Sequence, residues 1–245
     1  MGRSPMSADV APVIEASELT RSYGPTEQAR HALDRVSLTV APGEVVAVMG
    51  PSGSGKSTLL FLLGGLDRPD RGVVRITGID WETLHGSERA RFLRRTCGFI
   101  VQGLALLPQA TAAENVEVPL LLDGVEERDR TRRVTEALER VGLGSHASQL
   151  TDELSGGEQQ RVSIARALVP EPAVVLADEP TGSLDSSTAQ SITRLLVEAA
   201  RERHAAVVLV THDPAVARHA DRLVTLHSGR LETDVANRDR SEAAI

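Results

Sequence analysis

The feature that most constrains the fold is a glycine-rich segment at residues 50–58, GPSGSGKST, which directly follows the apolar run Val45–Met49. A short β-branched run that ends at a glycine is typical of a strand buried on both faces of a parallel sheet. We expect a helix to begin near Ser57. A strand, a glycine-rich turn and a helix in this order form a phosphate-binding loop, because inward-turned backbone N–H groups and a helix N-terminus both favour an anion. The segment therefore predicts a triphosphate site.

Every residue of this loop is a candidate for binding the nucleotide. Lys56 is expected to reach the β- and γ-phosphates, and the Ser57 hydroxyl is expected to ligate Mg²⁺. The alternative is a glycine-rich turn with a purely structural role, which the match of both pattern and context disfavours. The predicted nucleotide-binding residues of the loop are Gly50, Pro51, Ser52, Gly53, Ser54, Gly55, Lys56, Ser57 and Thr58.

The strand pattern recurs at residues 173–177 and 206–210, and each run is followed by loop residues and then a helical pattern. This alternation predicts an α/β fold with a mainly parallel sheet. Residues 126–142 carry apolar side chains at helical spacing, which predicts an amphipathic helix between these strands. Alternating apolar and polar residues at 13–19 and 36–40 predict a small antiparallel sheet before the core.

Two adjacent carboxylates, Asp178 and Glu179, end the second apolar run. Ligands gather at the carboxyl ends of the strands in parallel sheets. Asp178 is predicted to hold Mg²⁺, directly or through water, and Glu179 to accept a proton from the water that attacks the γ-phosphate. An acidic pair after a strand is also compatible with a solvated turn. Together with the phosphate loop, however, the pair predicts a nucleotide hydrolase.

Composition narrows the class of protein. The 245 residues are 41% apolar, which is enough for a full core. The longest apolar stretch, residues 59–66, is interrupted by glycines and is far shorter than the ~18 residues that suggest a membrane span. The single cysteine, Cys97, cannot form an internal disulfide and has no zinc-like spacing with any of the seven histidines. A net charge of −7 argues against a nucleic-acid partner. These features favour a cytosolic protein whose membrane association is peripheral.

Residues 154–161, LSGGEQQR, resemble the signature motif of ABC ATPases. A plainer interpretation is a capped helix start, since Ser155 and Glu158 have the spacing of a capping box, and the two interpretations are compatible. The resemblance implies that Ser155 and Gly157, with Gly156 between them, contact the nucleotide bound by a second protomer. A helix N-terminus would then face the γ-phosphate across the interface of a head-to-tail homodimer.

The resemblance covers about residues 13–231 and carries over at four further positions. Tyr23 matches the aromatic residue that stacks on adenine, and Gln102 matches the Q-loop glutamine that senses Mg²⁺. Asp185 matches the D-loop aspartate at the dimer interface, and His212 matches the switch histidine that contacts the γ-phosphate. Taken alone, the tyrosine is as readily a core residue and the histidine a structural one. The implied catalytic residues are Glu179, His212, Lys56 and Gln102, and the implied Mg²⁺ ligands are Ser57, Gln102 and Asp178.

The resemblance implies a P-loop NTPase (RecA-like) core with a small N-terminal antiparallel β-subdomain and an inserted helical subdomain. We therefore predict an ABC ATPase domain at 13–233, with its helical subdomain at about 103–160, a flexible N-terminus at 1–12 and a flexible tail at 234–245. The implied ligands are ATP and Mg²⁺. The implied partner is a separately encoded membrane permease, which would hold the chain on the cytoplasmic face of the cell membrane.

Two segments indicate a branch of the family. GLDRP at 65–69 and EPTGSLD at 179–185 are similar to the lipoprotein-release, macrolide-export and cell-division ATPases, which implies a permease with a large extracytoplasmic domain. Val101 replaces the aromatic residue often found before the Q-loop glutamine, and Gly103 follows it, so the identity of the permease stays open.

Two alternative functions remain from the sequence. One is an ATPase that transmits force to a membrane protein without moving a substrate. The other is a soluble translation or DNA-repair ATPase. The second is disfavoured because the chain carries one cassette and shows no long heptad run between the phosphate loop and the signature.

Overall fold

Two β-sheets and seven α-helices form the part of the protein that the structure, a computed structural model, describes: residues 11–24 and 30–237. The strands are β1 (Ile14–Tyr23), β2 (Arg30–Val40), β3 (Val45–Met49), β4 (Arg71–Ile76), β5 (Ile79–Asp80), β6 (Cys97–Ile100), β7 (Val174–Asp178), β8 (Ala206–Val210), β9 (Arg222–His227) and β10 (Arg230–Ala236). The helices are α1 (Lys56–Leu63), α2 (Gly86–Thr96), α3 (Ala112–Leu122), α4 (Glu127–Arg140), α5 (Gly156–Leu168), α6 (Ser186–Arg201) and α7 (Pro214–Ala217).

The central sheet has six strands in the order β10-β9-β3-β8-β7-β6. Neighbouring strands are parallel except for β9 and β10, which form an antiparallel hairpin at one edge. Residues of β3 alternate between two cores: Val45 and Ala47 pack with α5 and α6, and Val46 and Val48 pack with α1. Burial on both faces explains the uninterrupted apolar runs in the sequence. The predicted α/β fold with a mainly parallel sheet is confirmed.

The register of the central strands brings three loops to one edge of the sheet. Val48 of β3 pairs with Val210 of β8, and Val210 pairs with Asp178 of β7. Because the three strands are parallel, the segments that leave them emerge side by side. These segments are the phosphate loop after β3, Glu179 after β7 and His212 shortly after β8.

The antiparallel sheet is larger than the sequence pattern predicted. β1 pairs with both β2 and β4, and β5 extends the sheet in the order β2-β1-β4-β5. The first two strands come from the region where the sequence predicted an antiparallel sheet, and β4 and β5, which follow α1 in the chain, extend it. The side chains of this sheet share one core with α1 and one face of the central sheet, and Trp81 is completely buried there. The sheet therefore packs against the helix that follows the phosphate loop.

Helices α3, α4 and α5 form a layer whose apolar side chains join the core on the other face of the central sheet. Capping boxes begin two of them: Thr111 with Glu114 at α3, and Ser155 with Glu158 at α5. A capping box satisfies two backbone N–H groups and so fixes the residue at which a helix begins. The predicted helical range, 103–160, contains α3, α4 and the start of α5, which continues beyond it.

The last strand of the central sheet extends three residues past the domain boundary predicted at residue 233. Strand β10 runs to Ala236, and Arg222 of β9 joins it to the rest of the protein. Arg222 Nη1 donates to Glu44 Oε1 at 2.6 Å, and Arg222 Nε lies 2.7 Å from Asp234 Oδ1 without the alignment of a hydrogen bond. The Arg222 and Glu44 side chains are only 11% and 10% exposed. Arg222, which forms a nearly buried ion pair with Glu44, therefore also contacts Asp234 at the start of the segment that was predicted to be flexible.

The remainder of the predicted flexible termini, residues 1–10 and 238–245, lies outside the described residues. Within the described ranges, no helix is both long and apolar enough to cross a membrane.

We expect Arg222→Ala to lower the free energy of unfolding by about 3–5 kcal/mol, because it leaves the Glu44 carboxylate nearly buried without its cation. A matched control is Arg230→Ala in the neighbouring strand. Arg230 pairs with Asp34 but is 67% exposed, so its loss should cost less than about 1 kcal/mol. Urea unfolding followed by circular dichroism measures both. Equal losses in the two variants would contradict the stabilising role of the Arg222–Glu44 ion pair.

Candidate functional site

A cavity of about 780 Å³ opens where β3, β7 and β8 end. Thirteen of the predicted site residues line it, which brings together parts of the chain separated by up to 189 positions, from 23 to 212. They are Tyr23, Gly50, Pro51, Ser52, Gly53, Gly55, Lys56, Ser57, Thr58, Gln102, Asp178, Glu179 and His212. The cavity is large enough for a nucleotide, since ligand pockets range from about 300 to 1,000 Å³.

The phosphate loop depends on two glycines for its path. Gly50 and Gly55 have φ angles of 152° and 104°, in the region that favours glycine. A side chain at Gly50 would overlap the carbonyl of Leu226, and one at Gly55 would overlap the carbonyl of Ala32. The loop therefore packs against neighbouring backbone on one side and leaves its other side to the cavity.

The side chain of Lys56 folds back onto the first residues of the phosphate loop. Its Nζ donates to the backbone oxygens of Gly50 and Pro51, both at 2.9 Å. An ammonium group with three donors can keep such contacts while it binds an anion, or exchange them for phosphate oxygens. The lysine is thus held at the cavity wall with its positive charge beside the start of α1.

Ser54 differs from the other loop residues. It is buried, and neither its side chain nor its backbone lines the cavity. Its backbone N–H donates to Pro51 O at 3.2 Å, and its carbonyl accepts from the N–H of Gly229 at 3.0 Å. Ser54 thus links the phosphate loop to Gly229 on the side away from the cavity, and its predicted contact with the nucleotide stays a prediction.

Asp178 lies at the base of the cavity and is almost fully buried. Its Oδ1 is a buried atom with no hydrogen-bond partner among the described residues. Burial raises the pKa of this carboxyl above its usual value, and the charge of Glu179 adds to the rise, while a hydrogen bond from Ser57 and the charge of Lys56 oppose it. A buried carboxylate oxygen without a partner suits a bound cation, which would compensate for the loss of water.

Glu179 and His212 contact each other although 33 residues separate them in the chain. Glu179 Oε1 lies 2.9 Å from His212 Nδ1. A carboxylate accepts hydrogen bonds, so this contact is a hydrogen bond in the tautomer that carries its proton on Nδ1. Glu179 also has a φ of 45°, unusual for a residue other than glycine, and its N–H donates to Val210 O at 3.0 Å. The strand end thus turns the carboxylate into the cavity, where the imidazole orients it.

Besides Ser54, four predicted residues do not line the cavity of this chain: Ser155, Gly156, Gly157 and Asp185. Ser155 is the N-cap of α5. Asp185 is the N-cap of α6, and its Oδ1 accepts from the N–H groups of Ser187 and Thr188, both at 3.1 Å. Hydrogen bonds from the side chains of these two residues hold the pKa of Asp185 well below its usual value.

The starts of α5 and α6 lie side by side. A Cβ at Gly157 would be 3.3 Å from the Thr188 side chain, and one at Gly156 would be 3.6 Å from that of Leu184. The predicted signature and D-loop residues therefore form one surface of the chain, separate from its own cavity.

Three residues that line the cavity were not predicted: Ala32, Gly182 and Val210. Ala32 and Val210 contribute through position rather than through functional groups, and no sequence signal marks them. Gly182 belongs to the EPTGSLD segment, and its N–H donates to Glu179 O at 3.1 Å. The turn that follows Glu179 in this segment was therefore a sequence signal that could have identified Gly182. Among the described residues, no group of three or more histidine, cysteine, aspartate or glutamate side chains forms a metal site.

Comparison with known proteins gives consistent results. The family model described as ABC transporter matches residues 33–182. The chain is 43% identical over 219 residues to the lipoprotein-releasing system ATP-binding protein LolD of Legionella pneumophila (strain Lens), covering 89% of this chain and 96% of that protein. It is 46% identical over 223 residues to the macrolide export ATP-binding/permease protein MacB of Marinobacter nauticus, covering 91% of this chain. The chain spans 34% of the length of that MacB protein.

Two solved structures of the ATP-binding cassette MJ0796 resemble the chain over 92% of its length and 99% of theirs. One is described as a dimeric structure of a bacterial ABC transporter cassette and has a TM-score of 0.84 and 41% identity. The other is described as a dimer in a post-hydrolysis state bound to ADP and Pi, with a TM-score of 0.84 and 40% identity. The likeness thus extends well beyond the segment that the family model matches.

Proposed function

Because this chain belongs to the ABC transporter family, we propose that it is an ATP-binding and ATP-hydrolysing subunit that powers a membrane permease. The observation that carries the proposal is the convergence of three segments on one cavity: the phosphate loop, the Asp178–Glu179 pair and the turn that holds His212. Each segment leaves a parallel strand at the same edge of the sheet. Their combined chemistry suits the transfer of a phosphoryl group to water.

In this proposal the loop and Lys56 bind the phosphates of ATP, and Tyr23 stacks on the adenine. Glu179 accepts a proton from the attacking water, for which its carboxylate already lies at the cavity wall. His212 and Lys56 stabilise the charge that develops on the transferred group. The His212–Glu179 contact of 2.9 Å keeps the base oriented before ATP arrives.

The residues present also fit a magnesium ion. Mg²⁺ prefers oxygen ligands, and Ser57, Gln102 and Asp178 bring a hydroxyl, an amide and a carboxylate to the same cavity. The unpartnered Oδ1 of Asp178 is the atom that most needs such a ligand. When bound, the ion supplies positive charge against the β- and γ-phosphates.

A second copy of the chain completes the proposed site. Ser155, Gly156, Gly157 and Asp185 lie on a surface apart from the cavity, so one chain cannot place them on its own nucleotide. Head-to-tail pairing would bring the N-terminus of α5 of one protomer to the γ-phosphate held by the other. The dimeric form of the related cassette supports this arrangement.

The helical layer supports the proposed contact with a permease. Leu121 and Leu122 are 57% and 63% exposed and end α3, and Leu107, which is 53% exposed, lies before α3 and is hydrogen-bonded to its Asn115. The segment after Gln102 leads to this region and is held by Arg166, which donates to the backbone oxygens of Leu104 and Ala105 at 2.8 and 2.7 Å. Exposed apolar side chains often mark a protein–protein contact. Because these lie beside the segment that follows Gln102, a partner bound there could respond to whether the cavity holds a nucleotide.

The proposed subgroup is the lipoprotein-release and macrolide-export branch, so the cargo is a lipoprotein, another lipid, a drug or a peptide. The identity to LolD and MacB supports this assignment, and the proposed location is the inner face of the cell membrane. The alternative is a force-transmitting complex of the cell-division type, which uses the same ATPase chemistry. Cargo movement in reconstituted vesicles would identify a transporter, and its absence a force-transmitting complex.

The test is to measure phosphate release by the purified chain with Mg-ATP, and to identify the membrane proteins that copurify with it from gently solubilised native membranes. We expect ATP hydrolysis and the recovery of a permease with a large extracytoplasmic domain. Failure to bind or hydrolyse ATP would overturn the proposal. Recovery with ribosomes or DNA-repair proteins alone would instead place the chain among the soluble ABC ATPases.

A further inference from the structure

The side chain of Tyr23, which lines the nucleotide cavity, is held on one face and at its tip. The Arg21 guanidinium lies over the Tyr23 ring, with 4.8 Å from Cζ to the ring centroid. The Tyr23 hydroxyl donates to Asp67 Oδ2 at 2.7 Å. An aromatic ring has two faces, and a cation that occupies one leaves only the other for a nucleotide base.

Asp67 joins these two contacts. Arg21 Nε donates to Asp67 Oδ2 at 3.0 Å, and Arg21 Nη2 donates to Asp67 Oδ1 at 2.8 Å, so the pair is bidentate. Partial burial alone would raise the pKa of Asp67, but hydrogen bonds from Tyr23 and from the backbone of Arg68, together with the Arg21 charge, lower it below the usual value. The carboxylate therefore stays ionised near neutral pH and accepts from both side chains.

The position of Asp67 is set by the helix that follows the phosphate loop. The N–H groups of Leu66 and Asp67 both donate to the backbone oxygen of Phe61, at 2.9 and 3.3 Å. Phe61 belongs to α1, whose first residue is Lys56. One helix of eight residues thus carries phosphate-binding groups at its start and the Tyr23-binding carboxylate just after its end.

We propose that Asp67 is a positioning residue for the nucleotide base, acting through Tyr23 and Arg21. It does not touch the nucleotide. It fixes the plane of the tyrosine ring and the face that the ring presents, so that base stacking does not have to order a mobile side chain. The inference deepens the proposed function and rests on it, because it concerns the affinity for ATP of the same site.

The test compares ATP with inorganic tripolyphosphate, which has the phosphates but no base. We expect Asp67→Ala to weaken Mg-ATP binding by roughly threefold to tenfold, since it removes the acceptor that orders the ring. Binding of tripolyphosphate and the maximal rate of ATP hydrolysis should stay within twofold of wild type. Titration calorimetry measures both affinities, and phosphate release measures the rate.

Two further variants separate positioning from a general effect on folding. Asp70→Ala is the matched control: Asp70 also pairs with Arg21, at 2.9 Å, and accepts from the N–H of Ser22 at 2.7 Å, whereas the Tyr23 hydroxyl donates to Asp67. Its ATP affinity should stay within twofold of wild type. In a Tyr23→Ala background, Asp67→Ala should have no additional effect on ATP affinity, because the side chain through which it acts is gone.

The outcomes distinguish this inference from the proposed function. If the wild-type chain binds neither ATP nor tripolyphosphate, the proposed function fails. If wild type binds both and Asp67→Ala weakens both equally, or weakens ATP binding as strongly without Tyr23, the positioning role is wrong and the proposed function stands.

Discussion

Glu179→Gln is expected to bind ATP with nearly wild-type affinity and to hydrolyse it on the order of 10² to 10⁴ times more slowly. The amide has the shape of the carboxylate but cannot accept a proton from water. The contact with His212 also changes, because a glutamine oxygen is a weaker acceptor than Glu179 Oε1, which lies 2.9 Å from Nδ1. The binding groups of the phosphate loop are left intact, so ATP should be retained rather than released.

Phosphate release at saturating Mg-ATP measures the rate, and gel filtration with ATP present shows whether a dimer accumulates. We expect a dimer peak for the variant that disappears when ATP is omitted. The matched control is Glu15→Gln, since Glu15 lies in β1, is 40% exposed and does not line the cavity. A variant of Glu179 that turns over ATP like the Glu15 control would remove Glu179 from the role of general base.

Lys56→Ala should weaken Mg-ATP binding by roughly 10-fold to 150-fold, which corresponds to the loss of about 1.5–3 kcal/mol of charge-assisted hydrogen bonding to phosphate. The ammonium also donates to the oxygens of Gly50 and Pro51, so its removal loosens the loop that surrounds the phosphates. Titration calorimetry with Mg-ATP measures the affinity.

The control is Arg35→Ala, which removes the same charge from a side chain that is 70% exposed. A second readout uses the fact that Lys56 is the only lysine in the sequence. An amine-reactive reagent followed by peptide mass spectrometry should therefore label the wild-type loop, and Mg-ATP should protect it. Unchanged affinity in Lys56→Ala, or labelling that ATP does not reduce, would argue against phosphate binding by this loop.

Local patterns were the part of the fold that the sequence predicted well. The capping box of Ser155 and Glu158 depends on residues within one turn of each other and occurs as predicted. Apolar runs identified β3, β7 and β8 because strands buried on both faces need apolar side chains at every position.

Long-range pairing was missed for a physical reason. Strand β9 alternates between buried and less buried positions, and β10 has no buried residue. Their place at the edge of the central sheet depends on distant partners such as Val46, which is 176 positions from Arg222. The same holds for Asp67, whose contact with Tyr23 spans 44 positions. A single sequence shows that these groups exist, whereas only the packed sheets and α1 show which of them meet.

The candidate site was predictable to the extent that its residues follow buried strands. Parallel register alone brings Glu179 close to His212, so their contact follows from β7 and β8 being neighbours. Ser54 shows the limit of motif matching, because it falls within the phosphate-loop pattern but is buried beneath the loop. The catalytic roles of these residues stay predictions until the variants above are measured.

The surface that carries Ser155, Gly156, Gly157 and Asp185 lies apart from the cavity, and this separation has a consequence for kinetics. In the proposed head-to-tail pair, each chain would contribute the larger part of one site and the smaller part of another, so the working unit would be a pair. At protein concentrations far below the dissociation constant of the pair, the number of pairs rises with the square of concentration. The hydrolysis rate per chain would then increase in proportion to concentration, and it would level off when pairing is complete, with the half-way point reporting the strength of the association.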